Sequence, residues 1–195
     1  MNTLIKNASG ITQVTAESRL LSKRIVFLEG TIDAACAGTF VRQILILNQE
    51  SKEKTIRVLV NSLGGEINSG LLIYDVIQGS KAPIELYCMG YAYSMAAVLM
   101  ASGTHGRYIL PHGEMMLHEP LLGERVSGNT SSIRQLSEGL LEMKRRINQI
   151  LAKHIKRTEE ELETATSYDH FFNAKECVEF GLCDAVAGFE KVLEK

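Results

Sequence analysis

Ile84-Glu85-Leu86-Tyr87-Cys88-Met89-Gly90-Tyr91-Ala92-Tyr93-Ser94-Met95-Ala96-Ala97 is the stretch on which the fold turns. Ile84 to Met89 follows Pro83 as a short apolar run, the pattern of a strand buried on both faces. Gly90 breaks that run, and Ser94 to Ala101 is small and apolar until Ser102-Gly103 ends it, as a short buried helix would be. The stretch therefore reads as strand, glycine break and helix, with one hydroxyl, Ser94, where the helix starts. Serine at such a position has two uses. It is among the preferred N-caps, accepting from backbone N–H groups; or it is a nucleophile, which needs a base, an acid and an oxyanion site from elsewhere in the chain.

The same pattern recurs on either side. Arg24 to Gly30 reads as a strand and Ala34 to Asn48 as a helix, with Phe40, Ile44, Leu45 and Leu47 at helical spacing. Ile56 to Val60 reads as a second strand, ended by Asn61-Ser62-Leu63-Gly64-Gly65, and Glu66 to Gln78 as its helix. Tyr108 to Leu110 and Met115 to Leu117 are further strands around the turn Pro111-His112-Gly113. Apolar strands alternating with helices predict an α/β fold whose parallel strands are covered by crossover helices.

After Pro120 the pattern changes. Ile133, Leu136, Leu140, Met143, Ile147, Ile150 and Leu151 are spaced by three or four, predicting a helix over 131–154. Such a helix either projects beyond the body to meet another subunit or folds back on its own sheet. Thr158-Glu159-Glu160-Glu161 is a capping-box start, Asn173 to Gly181 a further helix, and Leu182 to Val186 a final strand. Residues 1–17 are polar with no clear period and read as a mobile or partner-dependent arm, preceding one domain over 18–195.

The formal charge of the 195-residue chain is −2 with the signs interspersed, which argues against nucleic-acid or anionic-membrane binding. No apolar run approaches membrane-spanning length and Met1 to Ser9 lacks a signal peptide's core, so a soluble cytoplasmic protein is expected. Cys36, Cys88, Cys177 and Cys183 form no Cys-x-x-Cys pair and read as reduced core residues. The histidines show no ligand spacing, and neither a metal nor a cofactor is expected.

In an α/β fold reactive groups collect at the carboxyl ends of parallel strands. Three loops qualify: Gly64-Gly65, Ser94, and His118-Glu119-Pro120. The glycine pair leaves backbone N–H groups open to an incoming oxygen, and the N–H after Ser94 lies at a helix start, so Gly65 and Met95 are the oxyanion-hole candidates. Ordinary turn chemistry explains either equally well. His118, ending an apolar strand, is the best placed base; His105 and His112 are in polar turns and His154 is in a helix. Asp169, between two helices, is the most plausible carboxylate to orient it, although position alone does not select it over Asp33, Asp75 or Asp184.

From about Ser18 to Val186 the chain resembles the Clp protease proteolytic subunit family of self-compartmentalised serine peptidases. The resemblance rests on Ser18-Arg19-Leu20-Leu21, Arg24-Ile25-Val26-Phe27-Leu28, Asn61-Ser62-x-Gly64-Gly65 and Ile73-Tyr74-Asp75. It continues with Cys88-Met89-Gly90-x-Ala92-x-Ser94-Met95, Leu110-Pro111, Met116-x-His118-x-Pro120 and Asp169-x-Phe171, all in order. It implies a crotonase-like spiral of βαβ units, a Ser94, His118, Asp169 triad and an oxyanion hole from the backbone of Gly65 and Met95. It further implies that the long helix is a handle joining two seven-membered rings into a tetradecamer. An extended, unfolded substrate would lie along Leu121 to Arg125, with Gly64, Leu121, Leu122 and Gly123 as substrate contacts, and a hexameric AAA+ unfoldase of the Clp type would feed the chamber.

Several positions depart from that family. Leu63 stands where proline is common, and Leu122 where glycine is common, which points to altered substrate fit. His170 takes the place of an arginine in a contact between rings, which would make that contact pH-dependent. Arg57, Leu59 and Gly79 replace residues that are often aromatic on the docking face, while Tyr87, Met89, Tyr108 and Leu110 keep part of it. Two other functions compete: a weakly active or structural subunit in a mixed ring with a paralogue, and a crotonase-type acyl-CoA enzyme, which needs no serine nucleophile.

Overall fold

The computed structural model describes residues 1–7, 10–123 and 127–193. In chain order the first half comprises β1 (Asn2–Asn7), β2 (Gly10–Thr15), α1 (Ala16–Leu21), β3 (Ile25–Ile32), α2 (Ala34–Glu50), β4 (Ile56–Gly65), α3 (Ile67–Gly79), β5 (Ile84–Tyr93) and α4 (Met95–Ala101). The second half comprises β6 (Arg107–Ile109), β7 (Glu114–Leu117), α5 (Thr130–Ile155), α6 (Glu159–Thr166), β8 (His170–Asn173), α7 (Ala174–Phe180), β9 (Ala185–Val186) and α8 (Glu190–Leu193).

The main sheet has the order β3-β4-β5-β6-β9, and β7 pairs with both β5 and β8. Every pairing in it is parallel except β7 with β8. This is the α/β architecture that the strand and helix alternation predicts. Val58, Val60, Ile84, Leu86 and Cys88 are buried in the middle of the sheet. Phe40, Ile44 and Leu47 of α2 and Ile73 and Ile77 of α3 cover them, and all of α4 is inside. Its alanines, Ala96, Ala97 and Ala101, let the helix approach the sheet closely enough to be enclosed.

Two strands run further than their apolar pattern suggests. β5 does not stop at Gly90 but continues to Tyr93 by changing partner: Leu86 to Cys88 pair with β6, and Tyr91 to Tyr93 with β7. β4 likewise continues past Val60 to Gly65, with register shifts at Glu29/Thr31 on β3 and Val60/Ser62 on β4. In both cases polar or glycine-containing sequence is held in the ladder by its neighbours, so hydrophobicity marks only the buried half of the strand.

In the N-terminal arm, β1 and β2 form an antiparallel hairpin, in register from Asn2↔Thr15 to Asn7↔Gly10. Thr3, Thr12 and Val14 favour strands, but Leu4 and Ile11 are both exposed. None of the hairpin residues whose burial is described is fully buried, so burial imposes no alternation there for the sequence to show.

α5 divides into two parts. Ile147, Asn148, Leu151 and Ile155 are buried, whereas Ile133, Leu136 and Leu141 in the preceding half are exposed. The C-terminal half thus packs on the body and the N-terminal half projects from it. At 26 residues the helix is about 39 Å long. Away from the main core, Leu59, Tyr87 and Val192 form a second buried cluster, flanked by Ile25, Phe27, Met89 and Tyr108. α8, which supplies Val192, has no signal in the sequence pattern because it is a single turn. No helix among the described residues is long and apolar enough to cross a membrane.

Candidate active site

The carboxyl ends of β4, β5 and β7 meet at one cleft of about 410 Å³, lined among others by Gly65, Ser94, Met95, His118 and Asp169. Each enters it for a local reason. Ser94 stands between β5 and α4 with φ 54° and ψ −123°, a conformation that costs a non-glycine residue about 1–3 kcal/mol. Its neighbours hold it there. The Ser94 N–H donates to Met116 O at 2.8 Å, and its carbonyl accepts from Ala97 N–H at 3.0 Å and Val98 N–H at 3.2 Å. The N-cap use of Ser94 is not realised, since its side chain makes no cap hydrogen bond to α4. Instead Oγ lies 2.8 Å from His118 Nε2. A strained serine on a sharp strand-to-helix turn, with its hydroxyl aimed away from the helix, is the geometry of a nucleophile elbow.

Gly64 and Gly65 close the other side of the turn. A Cβ on Gly64 would meet Tyr93 O at 2.7 Å and Ser94 Cβ at 2.8 Å; one on Gly65 would meet Ile32 O at 2.3 Å. Both positions also have φ in the left-handed range, 92° and 153°. The Gly64 N–H is engaged, donating to Ser62 Oγ at 3.1 Å, while the buried Ser62 hydroxyl donates to Gly30 O. Met95 is the first residue of α4, where the backbone N–H has no partner within the helix. Its side chain packs on α3, so close that a Cβ on Gly70 would fall 2.2 Å from Met95 Cγ.

His118 and Asp169 are neighbours because of the antiparallel pairing that the sequence does not announce. Leu117 of β7 pairs with His170 of β8, which sets the residue after Leu117 beside the residue before His170. His118 Nδ1 is 3.7 Å from Asp169 Oδ1, longer than a hydrogen bond, and that nitrogen is buried without a partner. The Asp169 side chain is 65% exposed and that of His118 14%. Serine and histidine are therefore in contact while the carboxylate stands one small movement away. Catalytic hydrogen bonds are often long in this way before substrate binds.

Of the expected substrate contacts, Leu121 lines both this cleft and an adjoining hollow of about 1010 Å³ beside α5. Leu122 and Gly123 line the hollow only, together with Gln135, Leu136, Leu140 and Met143. Gly64 lines neither and acts instead as the floor beneath Ser94. Leu121 to Gly123 belong to no strand and pair with none among the described residues; Glu124 and Arg125 lie outside the described residues. Leu63 is exposed on the rim of the cleft.

Three aromatic contacts near the site were not evident from the sequence. Tyr93 packs edge-to-face on Phe171 at 5.6 Å, and its hydroxyl donates to a Glu114 carboxylate oxygen. That hydrogen bond, with burial, pushes the Tyr93 phenol up to about 12. The His170 ring is stacked between Tyr168 and Phe172, at 5.7 and 4.1 Å. The four cysteines are unbridged; Cys88, Cys177 and Cys183 are buried and Cys36 is half-buried, and burial pushes the Cys88 thiol up to about 12, in keeping with a core thiol rather than a nucleophile. Among the described residues no three His, Cys, Asp or Glu side chains are grouped to hold a metal.

Compared with known families, residues 8–190 match the model described as Clp protease, nearly the whole length of the chain. With a mixed α/β fold built on a parallel sheet, this chain belongs to the Clp protease family of peptidases.

Proposed function

We propose that the protein is a serine endopeptidase that cleaves unfolded polypeptides by an acyl-enzyme mechanism. The observation that carries this reading is the 2.8 Å contact of Ser94 Oγ with His118 Nε2, at a strained turn opening into a cleft. Ser94 Oγ attacks the peptide carbonyl carbon as His118 Nε2 takes its proton. The backbone N–H groups of Gly65 and Met95 receive the oxyanion, and Asp169 stabilises the imidazolium. Collapse of the tetrahedral intermediate breaks the C–N bond as His118 gives its proton to the leaving amine. Water then attacks the ester, its proton passing to His118 and on to Ser94 Oγ as the acid is released.

Backbone pairing of an extended substrate with Leu121 to Gly123 would make sequence preference loose. The projecting half of α5 supports assembly, because its exposed Ile133, Leu136 and Leu141 suit packing against a second ring. We read residues 18–195 as one peptidase domain and 1–17 as an axial arm. The assembly we propose is two stacked heptameric rings in the cytoplasm, served by a hexameric AAA+ unfoldase whose ATP hydrolysis drives unfolding. Treatment with a fluorophosphonate probe tests the chemistry. An adduct mapped to Ser94 and lost in Ser94→Ala is expected, and absence of labelling in assembled protein would remove the reading.

A second reading, a subunit of a mixed ring that leaves unfoldase docking to a paralogue, is favoured by one observation. Leu59 and Tyr87, on the face expected to dock, are covered by Val192 of the same chain. Labelling of Ser94 without unfoldase-stimulated protein degradation would favour it.

A further inference from the structure

Lys144, on α5, touches the two segments that carry the proposed base and its carboxylate. Its Nζ lies 3.0 Å from Glu119 Oε2 and 3.3 Å from Glu163 Oε1. Glu119 follows His118 directly and lines the catalytic cleft. Glu163 belongs to α6, which ends at Thr166, just before the Ser167-Tyr168-Asp169 segment. The lysine side chain is 18% exposed, against 44% and 68% for the two glutamates, so it sits beneath them as a shared inner partner. The hydrogen bonds its ammonium donates to these carboxylates, that to Glu119 first, hold it above the usual lysine range, so it is charged at neutral pH.

Ion pairs this exposed add little to stability. What three charges on three separate elements fix is geometry. Among the described residues, the backbone ladder that reaches the loop after β7 and the segment at Asp169 is the short β7–β8 pairing, which includes neither α5 nor α6. The distance that matters is also unsettled by that pairing, since His118 Nδ1 and Asp169 Oδ1 stand 3.7 Å apart. A shift of about 1 Å decides whether a hydrogen bond forms between them, and misplacements of that size change rates by up to about 10²-fold.

We infer that Lys144 is a positioning residue: through Glu119 and Glu163 it holds the separation between His118 and Asp169 and ties it to the placement of α5. It touches no reacting atom. The inference rests on the serine peptidase reading above and adds to it a link between the handle helix and the alignment of the base.

The test compares the full-length wild type with Lys144→Met, Lys144→Arg and Glu163→Gln, each also in an Asp169→Asn background. Readouts are kcat and KM on a fluorogenic peptide, the rate of fluorophosphonate labelling, sedimentation and thermal melting. Lys144→Met is expected to lower kcat about tenfold with KM within about twofold, and Lys144→Arg to restore most of it. In the Asp169→Asn background the same change is expected to cost less than about twofold, because the distance it governs no longer matters. Glu163→Gln cuts one arm at an exposed position and should lower kcat about threefold, again only when Asp169 is present. It decides the matter if Lys144→Met does not assemble. Unchanged kcat in both variants, a loss confined to KM, or an equal loss with Asn at 169 would overturn the inference. Absence of a Ser94 adduct in the wild type would instead overturn the peptidase reading, and this inference with it.

Discussion

Gly64 and Ser94 are in steric contact through a position where no side chain fits: a Cβ on Gly64 would fall 2.8 Å from Ser94 Cβ. The tip of β4 therefore sets how far the turn after β5 can settle. Gly64→Ala would add a left-handed alanine at φ 92° and push Ser94 away from His118. The backbone strain alone is worth about 1–3 kcal/mol. Fluorophosphonate labelling should fall by at least about 10²-fold, with a lower melting temperature, if the 2.8 Å Ser94–His118 contact carries the chemistry. Labelling at the wild-type rate would show that the turn tolerates displacement.

The unequal contacts of His118 predict unequal losses. Ser94→Ala and His118→Ala should each reduce peptide hydrolysis to the residual level set by binding and oxyanion contacts. Asp169→Asn should leave more activity, because its carboxylate is 65% exposed and 3.7 Å from Nδ1. Steady-state hydrolysis with the three variants checks the order. Equal losses at all three positions would mean that the His118–Asp169 bond closes fully in the working enzyme.

Much of this arrangement was legible in the sequence where burial and period leave a mark. The apolar runs at Ile25, Ile56 and Ile84 are strands, the spaced apolar residues after Ser131 are α5, and Thr158 with Glu161 forms the capping box that its spacing suggests. Ser94 and His118 stood out as the ends of such runs. Asp169 did not, because its place depends on the Leu117↔His170 register, a long-range pairing of two short strands. β8 is four residues with an exposed Phe171, too short and too open to show an alternating pattern. Lys144 was indistinguishable from the other charges of α5 until Glu119 and Glu163 were seen on either side of it.

His154 joins α5 to α3. Its Nε2 lies 3.1 Å from Tyr74 Oη, with the rings edge-to-face at 5.8 Å. Burial first, then the charges of Lys153 and Arg107, hold its pKa below the ordinary histidine value of 6.5. The folded protein thus resists a proton that the unfolded chain accepts. As pH falls through the unfolded value, stability is lost, and the loss ends once the lower folded pKa is passed. Denaturant unfolding at pH 7 and pH 5 should show a smaller acid loss in His154→Gln than in the wild type, the carboxylates being common to both. An equal loss in the two proteins would rule out His154 as its source.

Val192 is 1% exposed and lies on Tyr87 and Leu59, while Lys191 Nζ stands 5.3 Å from the centre of the Tyr108 ring. α8 is the last element of the described chain and this cluster is separate from the main core. Disturbing it should therefore open that face locally rather than unfold the protein. Val192→Asp places an unpaired charge in an apolar seat, which is strongly unfavourable, so the helix should leave. The expected result is greater binding of a hydrophobic dye and easier quenching of tyrosine fluorescence, with a melting shift of only a few degrees. An apolar docking peptide should bind the variant more tightly than the wild type, because it no longer competes with Val192 for Leu59 and Tyr87. Unchanged quenching would mean that Tyr87 is covered by residues other than α8, and tighter peptide binding would then have to arise elsewhere.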